Sequence, residues 1–74
     1  MIKREELTNP KSCMNRARDD EMTFVLIGRD VAAPAAIRAW ICERIRLGKN
    51  TQFDGQIIEA HACAERMLIE QEKT

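Results

Sequence analysis

The most reactive side chains in this sequence belong to three cysteines and one histidine. Cys13 and Cys42 are far apart along the chain, whereas His61 and Cys63 differ by two positions. Side chains at positions i and i+2 of a helix point in different directions, so His61 and Cys63 cannot chelate one ion from a regular helix. A zinc site needs paired ligands such as CxxC or HxxxH, and neither pair occurs. We therefore expect no metal site, and we interpret the cysteines as small apolar core residues.

The same residues argue against catalysis. A nucleophilic cysteine or serine needs a neighbouring base and a third group that orients this base. His61 falls on the apolar side of the C-terminal helical pattern, where a partly buried, hydrogen-bonded histidine is the ordinary outcome. No GxSxG, P-loop or GxGxxG pattern is present. The acidic cluster over residues 19–21 is interpreted as a solvated capping cluster, because no second set of cation ligands accompanies it. We expect a non-enzymatic protein without a cofactor.

The stretch over residues 30–40, together with the nearby Arg29 and Phe24, is the best candidate for a ligand site. It places small residues at the start of a predicted helix, where unpaired N–H groups and the positive end of the helix dipole favour a phosphate or carboxylate. Arg29 and Arg38 supply forked donors for such an anion, and Phe24 or Trp40 supplies a ring that stacks on a base. In the structural alternative, which is the commoner outcome, Trp40 anchors the core and both arginines pair with acidic neighbours. The sequence leaves both interpretations open.

Helical periodicity is strongest in the C-terminal half of the chain. It predicts a helix over residues 30–47, with Pro34 in its first turn and Gly48 as its stop. A second helix is predicted over residues 55–72, capped by Asp54. The connection between them has a normal length for two antiparallel helices.

The N-terminal half is less regular. Residues 1–8 are polar and are predicted to form a flexible arm, and residues 9–74 are predicted to form a single helical domain. Asn9-Pro10 is typical of a helix start, which predicts a short helix over residues 9–18. The apolar run over residues 22–28 is predicted to be a short buried helix, although it could instead be a short strand that pairs with its copy in a dimer. The chain as a whole is predicted to be all-α, with two longer antiparallel helices and shorter N-terminal helical segments.

Size and composition restrict the partners of the chain. A chain of 74 residues has room for one domain, and a single core of this size rarely supplies more than roughly 3–5 kcal/mol of stability, so we expect a homo-oligomer. Its formal net charge of zero makes nucleic acid an improbable partner. No apolar run approaches the roughly 18–20 residues that cross a bilayer. Free thiols and the lack of an apolar segment after the N-terminal basic residues indicate a cytoplasmic protein.

Part of the chain resembles a signature of very small proteins found in phage, prophage and related bacterial genomes, a family without an assigned activity. The resemblance covers residues 9–47 and follows the pattern DDE-x-x-FVL…D-x-x-AP-x-x-IR-x-W. The matching residues are Asp19-Asp20-Glu21, Phe24-Val25-Leu26, Asp30, Ala33-Pro34, Ile37-Arg38 and Trp40. No catalytic residue is carried over from the family. The resemblance implies an accessory protein that acts by occupancy.

Three functional hypotheses follow. The first is an anti-defence factor that sequesters a small anionic, nucleotide-like signalling ligand at subunit interfaces. The second is an inhibitor that occupies a host protein through an exposed patch. The third is a structural or regulatory helical homodimer, for which neutral charge argues against DNA association.

Overall fold

The computed structural model describes residues 2–73, and these form four helices. The helices are α1 (Lys3–Thr8), α2 (Cys13–Arg16), α3 (Ala33–Arg46) and α4 (Gly55–Glu72). Helix α3 packs against α4, and α1 packs against α2. The Gln71 side chain near the end of α4 donates hydrogen bonds to the carbonyl oxygens of Gly28 and Asp30, just before α3, so the two long helices are antiparallel. The predicted all-α fold is confirmed, and no strand is present among residues 2–73.

The bounds of α3 follow from residues with special backbone properties. Before the helix, Oδ1 of Asp30 accepts a hydrogen bond from the N–H of Ala32 at 2.9 Å, and the Asp30 carbonyl accepts one from Ala33 at 3.0 Å. Pro34 lies in the first turn, where its missing N–H breaks no helical bond. Gly48 has φ +72°, a left-handed conformation that ends the helix. The roles predicted for Pro34 and Gly48 are confirmed, but the helix begins after the Asp30 turn.

A polar network holds the connection between α3 and α4. Nε of Arg44 donates to Oδ1 of Asn50 at 2.6 Å, and Nδ2 of Asn50 donates to Oδ2 of Asp54 at 3.0 Å. The Thr51 N–H and hydroxyl also donate to this carboxylate. Asp54 immediately precedes α4 as predicted, but its side chain forms hydrogen bonds within the connection and makes no capping hydrogen bond to the helix. These donors, first the Thr51 backbone and then Asn50, lower the pKa of Asp54 below its ordinary value.

The N-terminal segments differ from their predictions. A flexible arm is predicted over residues 1–8, whereas Lys3–Thr8 form α1. The second helix is predicted from Asn9, but Asn9 ends α1 and α2 begins only after Ser12. The buried Ser12 hydroxyl accepts a hydrogen bond from the N–H of Asn15 and donates one to the Glu6 carbonyl, so one side chain caps α2 and ties it to α1. The predicted arm begins at Met1 and the predicted domain ends at Thr74, and these two residues lie outside the described residues.

The apolar run over residues 22–28 is neither of the predicted elements. Residues 22–27 have no helical or strand structure, and residues 28–29 form a turn. Phenylalanine, valine and isoleucine have low helix propensity, and within residues 2–73 no second strand pairs with this run. The run ends against α4, where a Cβ atom at Gly28 would lie 3.5 Å from Cγ of Met67. It is called the apolar segment below.

The core lies between the two long helices and is small. Its buried apolar residues are Ala33 and Ile41 from α3 and Ile57 and Ala64 from α4. Two of these four are alanines, which lets the helices approach closely but buries little apolar area per residue. Helix packing therefore positions the long helices, while many larger apolar side chains remain on the surface.

Candidate functional site

An aromatic cleft of about 930 Å³ lies between α2, the apolar segment, α3 and α4. Phe24 comes from the apolar segment and Trp40 from the middle of α3, and both line the cleft with Leu26 and Ile37. Lys11 beside α2 belongs to its lining as well. Its volume falls near the upper end of the roughly 300–1,000 Å³ that small-molecule sites usually have. The cleft is an open groove whose lining includes two aromatic rings.

The two aromatic rings remain accessible. Phe24 is 87% exposed and Trp40 is 40% exposed, so neither ring is buried in the core. The guanidinium carbon of Arg44 lies 5.7 Å from the centre of the Trp40 ring, which is a cation–π contact. The alternative prediction of Trp40 as a core anchor does not describe this half-exposed position. Both rings have a face or edge available to a bound molecule.

The structure brings together two of the four predicted site residues. Phe24 and Trp40 line the aromatic cleft, whereas Arg29 lines a different groove and Arg38 lines neither. Neither arginine forms an ion pair with another residue among 2–73, so the salt bridges of the structural alternative are not seen there either. The candidate site thus retains Phe24 and Trp40 but includes neither Arg29 nor Arg38.

The N-terminus of α3 does not offer the open anion position that the sequence suggested. The Asp30 carboxylate already accepts a hydrogen bond from the N–H of Ala32, and the backbone carbonyl of Asp30 accepts one from the N–H of Ala33. Ala33 and Pro34 are buried, and the Asp30 carboxylate places a negative charge at this helix end. A second anion would be repelled there, so the end of α3 is occupied by protein groups.

Three cations near the cleft were missed from the sequence. Lys11 and Arg16 line it from the α2 side, and Arg44 lies over Trp40. Arg16 is held locally by a hydrogen bond from Nη2 to Sγ of Cys13 at 3.3 Å. The i,i+4 spacing of Trp40 and Arg44 was a usable signal. Lys11 and Arg16 gave none, because they lie in and beside α2, and the position of α2 relative to α3 is set by tertiary structure and not by a local pattern.

A second, larger groove of about 1310 Å³ lies between α1, the apolar segment and α4, and is called the α4 groove. Its floor is apolar, with Leu26, Ile27 and Met67 among its residues. Both positive and negative side chains surround this floor: Lys3, Arg29, Arg66, Glu5, Glu6, Glu59 and Glu70. Phe24 and Leu26 line both this groove and the aromatic cleft, so the two sites share one wall.

The reactive side chains are placed differently from their predictions. Cys13 and Cys42 are exposed and Cys63 is only half-buried, so their interpretation as core residues is wrong for the single chain. His61 is exposed as well. Among residues 2–73, no three histidine, cysteine or acidic side chains lie close enough together to hold a metal ion. No helix of this part of the chain combines the length and apolar character that a bilayer crossing requires.

No protein-family model, curated protein or solved structure matches this chain. The resemblance to phage-type proteins remains a prediction from the sequence.

Proposed function

We propose that this protein acts by binding, without catalysis, and that its ligand is a small planar anion of the nucleotide type held in the aromatic cleft. One observation supports this assignment most strongly. Phe24 from the apolar segment and Trp40 from α3 line one cleft together with Lys11 and Arg16. Exposed rings beside cations are the combination that a base and its phosphate require.

Each part of such a ligand has a partner in the cleft. Aromatic rings stack on a nucleobase whatever its identity, and such stacking contributes about 1–3 kcal/mol per base. Arg16 offers a forked donor and Lys11 a point charge to a phosphate. Glu6 also lines the cleft, and its carboxylate accepts a hydrogen bond from the N–H of Met14. The two rings add a stacking surface that a bare phosphate cannot use, so the lining favours a nucleotide over a bare phosphate.

The biological role follows from occupancy. A homo-oligomer of this chain would close its open clefts at subunit interfaces and hold the ligand away from its receptor. Because the sequence resembles phage accessory proteins, we propose that the sequestered ligand is a nucleotide signal of a host defence system and that the protein is an anti-defence factor. Its place of action on this proposal is the cytoplasm.

Trp40 is the only tryptophan in the chain, so its fluorescence reports on the cleft directly. Titration with a panel of linear and cyclic nucleotides is expected to quench or shift this emission for at least one compound. The same compound should stabilise the folded protein by about 2.7 kcal/mol at a hundredfold excess over its Kd. A panel that changes neither Trp40 emission nor thermal stability at millimolar concentration would contradict the proposal.

Two arginines provide a matched pair of variants for this titration. Arg16→Ala removes a cation that lines the cleft, whereas Arg38→Ala removes one that lines neither groove. Loss of one charge-assisted contact of about 1.5–3 kcal/mol should weaken nucleotide binding by more than tenfold in the first variant. The second should bind as the unmodified protein does. Equal effects of both variants would show that general charge, and not the cleft, attracts the ligand.

A second candidate function has its own observation. Met22 is 99% exposed and Phe53 is 79% exposed, and neither lines the cleft or the α4 groove. Such apolar side chains suit contact with another protein, so an inhibitor that occupies a host protein is the alternative. A host protein retained by the unmodified chain but lost with Phe53→Glu would support this alternative. Retention of nothing above background would count against it.

A further inference from the structure

The single chain exposes more surface than a folded monomer of its mass. Its accessible surface is 6274 Å², whereas monomers of 8.5 kDa typically have about 4,700 Å². Its radius of gyration is 13.0 Å, compared with about 11 Å for a compact domain of this length. The excess surface is about 1,600 Å² per chain on this scaling. Two copies that covered this excess would bury about 3,200 Å² in total, within the range of obligate homodimers.

The uncovered apolar surface is spread over the described chain, and one continuous part of it is the apolar segment. Phe24, Val25 and Ile27 are exposed there, and all three line the α4 groove. The segment approaches α4 at Gly28, whereas Phe24, Val25 and Ile27 before it stay exposed. These side chains are therefore available to a second surface.

The backbone of the same segment also lacks partners. The N–H and C=O groups of residues 22–26 form no hydrogen bond with any other described residue. In the single chain water satisfies these groups. Once the surrounding apolar surface is covered, they need protein partners, because an unpaired buried backbone group costs about 1–3 kcal/mol. The covering surface must therefore supply both apolar side chains and hydrogen-bonding groups.

A second copy of this chain meets these requirements better than an unrelated protein. The formal net charge is zero, so two copies do not repel each other as whole molecules. The rim of the α4 groove carries both signs, with Lys3 and Arg29 facing the same groove as Glu5 and Glu70. A two-fold interface uses the same patch on both subunits, so a rim that carries both signs can place opposite charges against each other.

From these observations we infer that residues 22–27 and the α4 groove form an interface with a second copy of this chain. The inference extends the proposed function, since Phe24 belongs to both the interface and the aromatic cleft, so that the second copy completes the cleft wall. Ligand binding and chain association are read by different signals. If nucleotides leave Trp40 emission unchanged while the protein is still a dimer, the proposed ligand is contradicted and the proposed interface is not.

The interface is tested with two phenylalanines of similar exposure. Phe24→Glu places a charge in the proposed interface, whereas Phe53→Glu places the same charge outside both grooves. Light scattering at fixed concentration should give half the mass for Phe24→Glu and an unchanged dimer mass for Phe53→Glu. Circular dichroism should show that both keep their helices at low temperature, because neither ring is buried in the single chain.

Amide exchange in the unmodified protein supplies a measurement that needs no variant. Since residues 22–26 lack internal hydrogen bonds, their amides exchange quickly in the single chain and should slow by about tenfold or more as concentration drives association. Concentration-dependent protection there, with selective dissociation of Phe24→Glu, is the expected result. Fast exchange of these amides at every concentration, or equal behaviour of the two glutamate variants, would overturn the inference.

Discussion

Two adjacent isoleucines on α4 give the sharpest test of the packing. Ile57 is fully buried between the long helices, whereas Ile58 is 57% exposed and lines neither groove. Ile57→Val deletes one buried methylene and should cost about 0.5–1.5 kcal/mol, which combines lost transfer energy with a small cavity. Ile58→Val makes the same chemical change at the surface and should stay within about 0.5 kcal/mol. Valine is preferred to alanine because a loss of about 2–5 kcal/mol could exhaust the stability of so small a core.

The assay is thermal and urea unfolding followed by helical circular dichroism. A change of about 1 kcal/mol shifts the Tm of a domain this size by about 4–8 °C, so the Ile57 variant should melt several degrees lower than the Ile58 variant. Protein concentration must be equal in all samples, because association contributes to apparent stability. Equal Tm values for the two variants, or a larger loss at Ile58, would refute the assigned face of α4.

Three further predictions concern the helix ends. Gly48→Ala should lower the free energy of unfolding by about 1–2 kcal/mol, because φ is +72° at this position. Gly55 lies at the start of α4 with open space around it, so Gly55→Ala should be neutral or stabilising by up to about 1 kcal/mol. Urea unfolding of both variants measures the difference. Ser12→Ala removes the α2 cap and the link to α1, and should cost about 1–3 kcal/mol, with faster amide exchange confined to the N-terminal helices. The folded-state pKa of Asp54 is depressed, so its contribution to stability is fully present above its unfolded pKa of about 3.9 and is lost as pH falls through the lower folded value. Asp54→Asn should therefore flatten the acid limb of the stability profile, and an unchanged acid limb would contradict this assignment.

The long helices were predictable because their signals are local. Proline is tolerated only in the first turn of a helix, which places Pro34, and glycine readily adopts the left-handed conformation that ends a helix, which places Gly48. The apolar residues between them repeat with helical spacing. The range predicted for the last helix, residues 55–72, matches α4 for the same reason. Such signals depend on each residue and its near neighbours in sequence, so no knowledge of the packing partner is required.

The N-terminal half and the candidate site were less predictable because they depend on tertiary contacts. Asn9 and Ser12 are both good capping residues, and only the bond from Ser12 to the α1 backbone decides where α2 begins. The apolar segment carries strand-forming residues without a strand partner in the described chain. Phe24 and Trp40, both candidate site residues from the sequence, line one cleft, but Arg16 lines that cleft through a tertiary arrangement that no local pattern encodes.

The central claim is that a single chain is incomplete and that a second copy covers its exposed apolar segment. Sedimentation velocity of the unmodified protein, over a concentration series that reaches high micromolar, measures this most directly. We predict a concentration-dependent shift to a particle of at least twice the 8.5 kDa chain mass. A single 8.5 kDa species at every concentration, with a cooperative melting transition that does not depend on concentration, would contradict the claim.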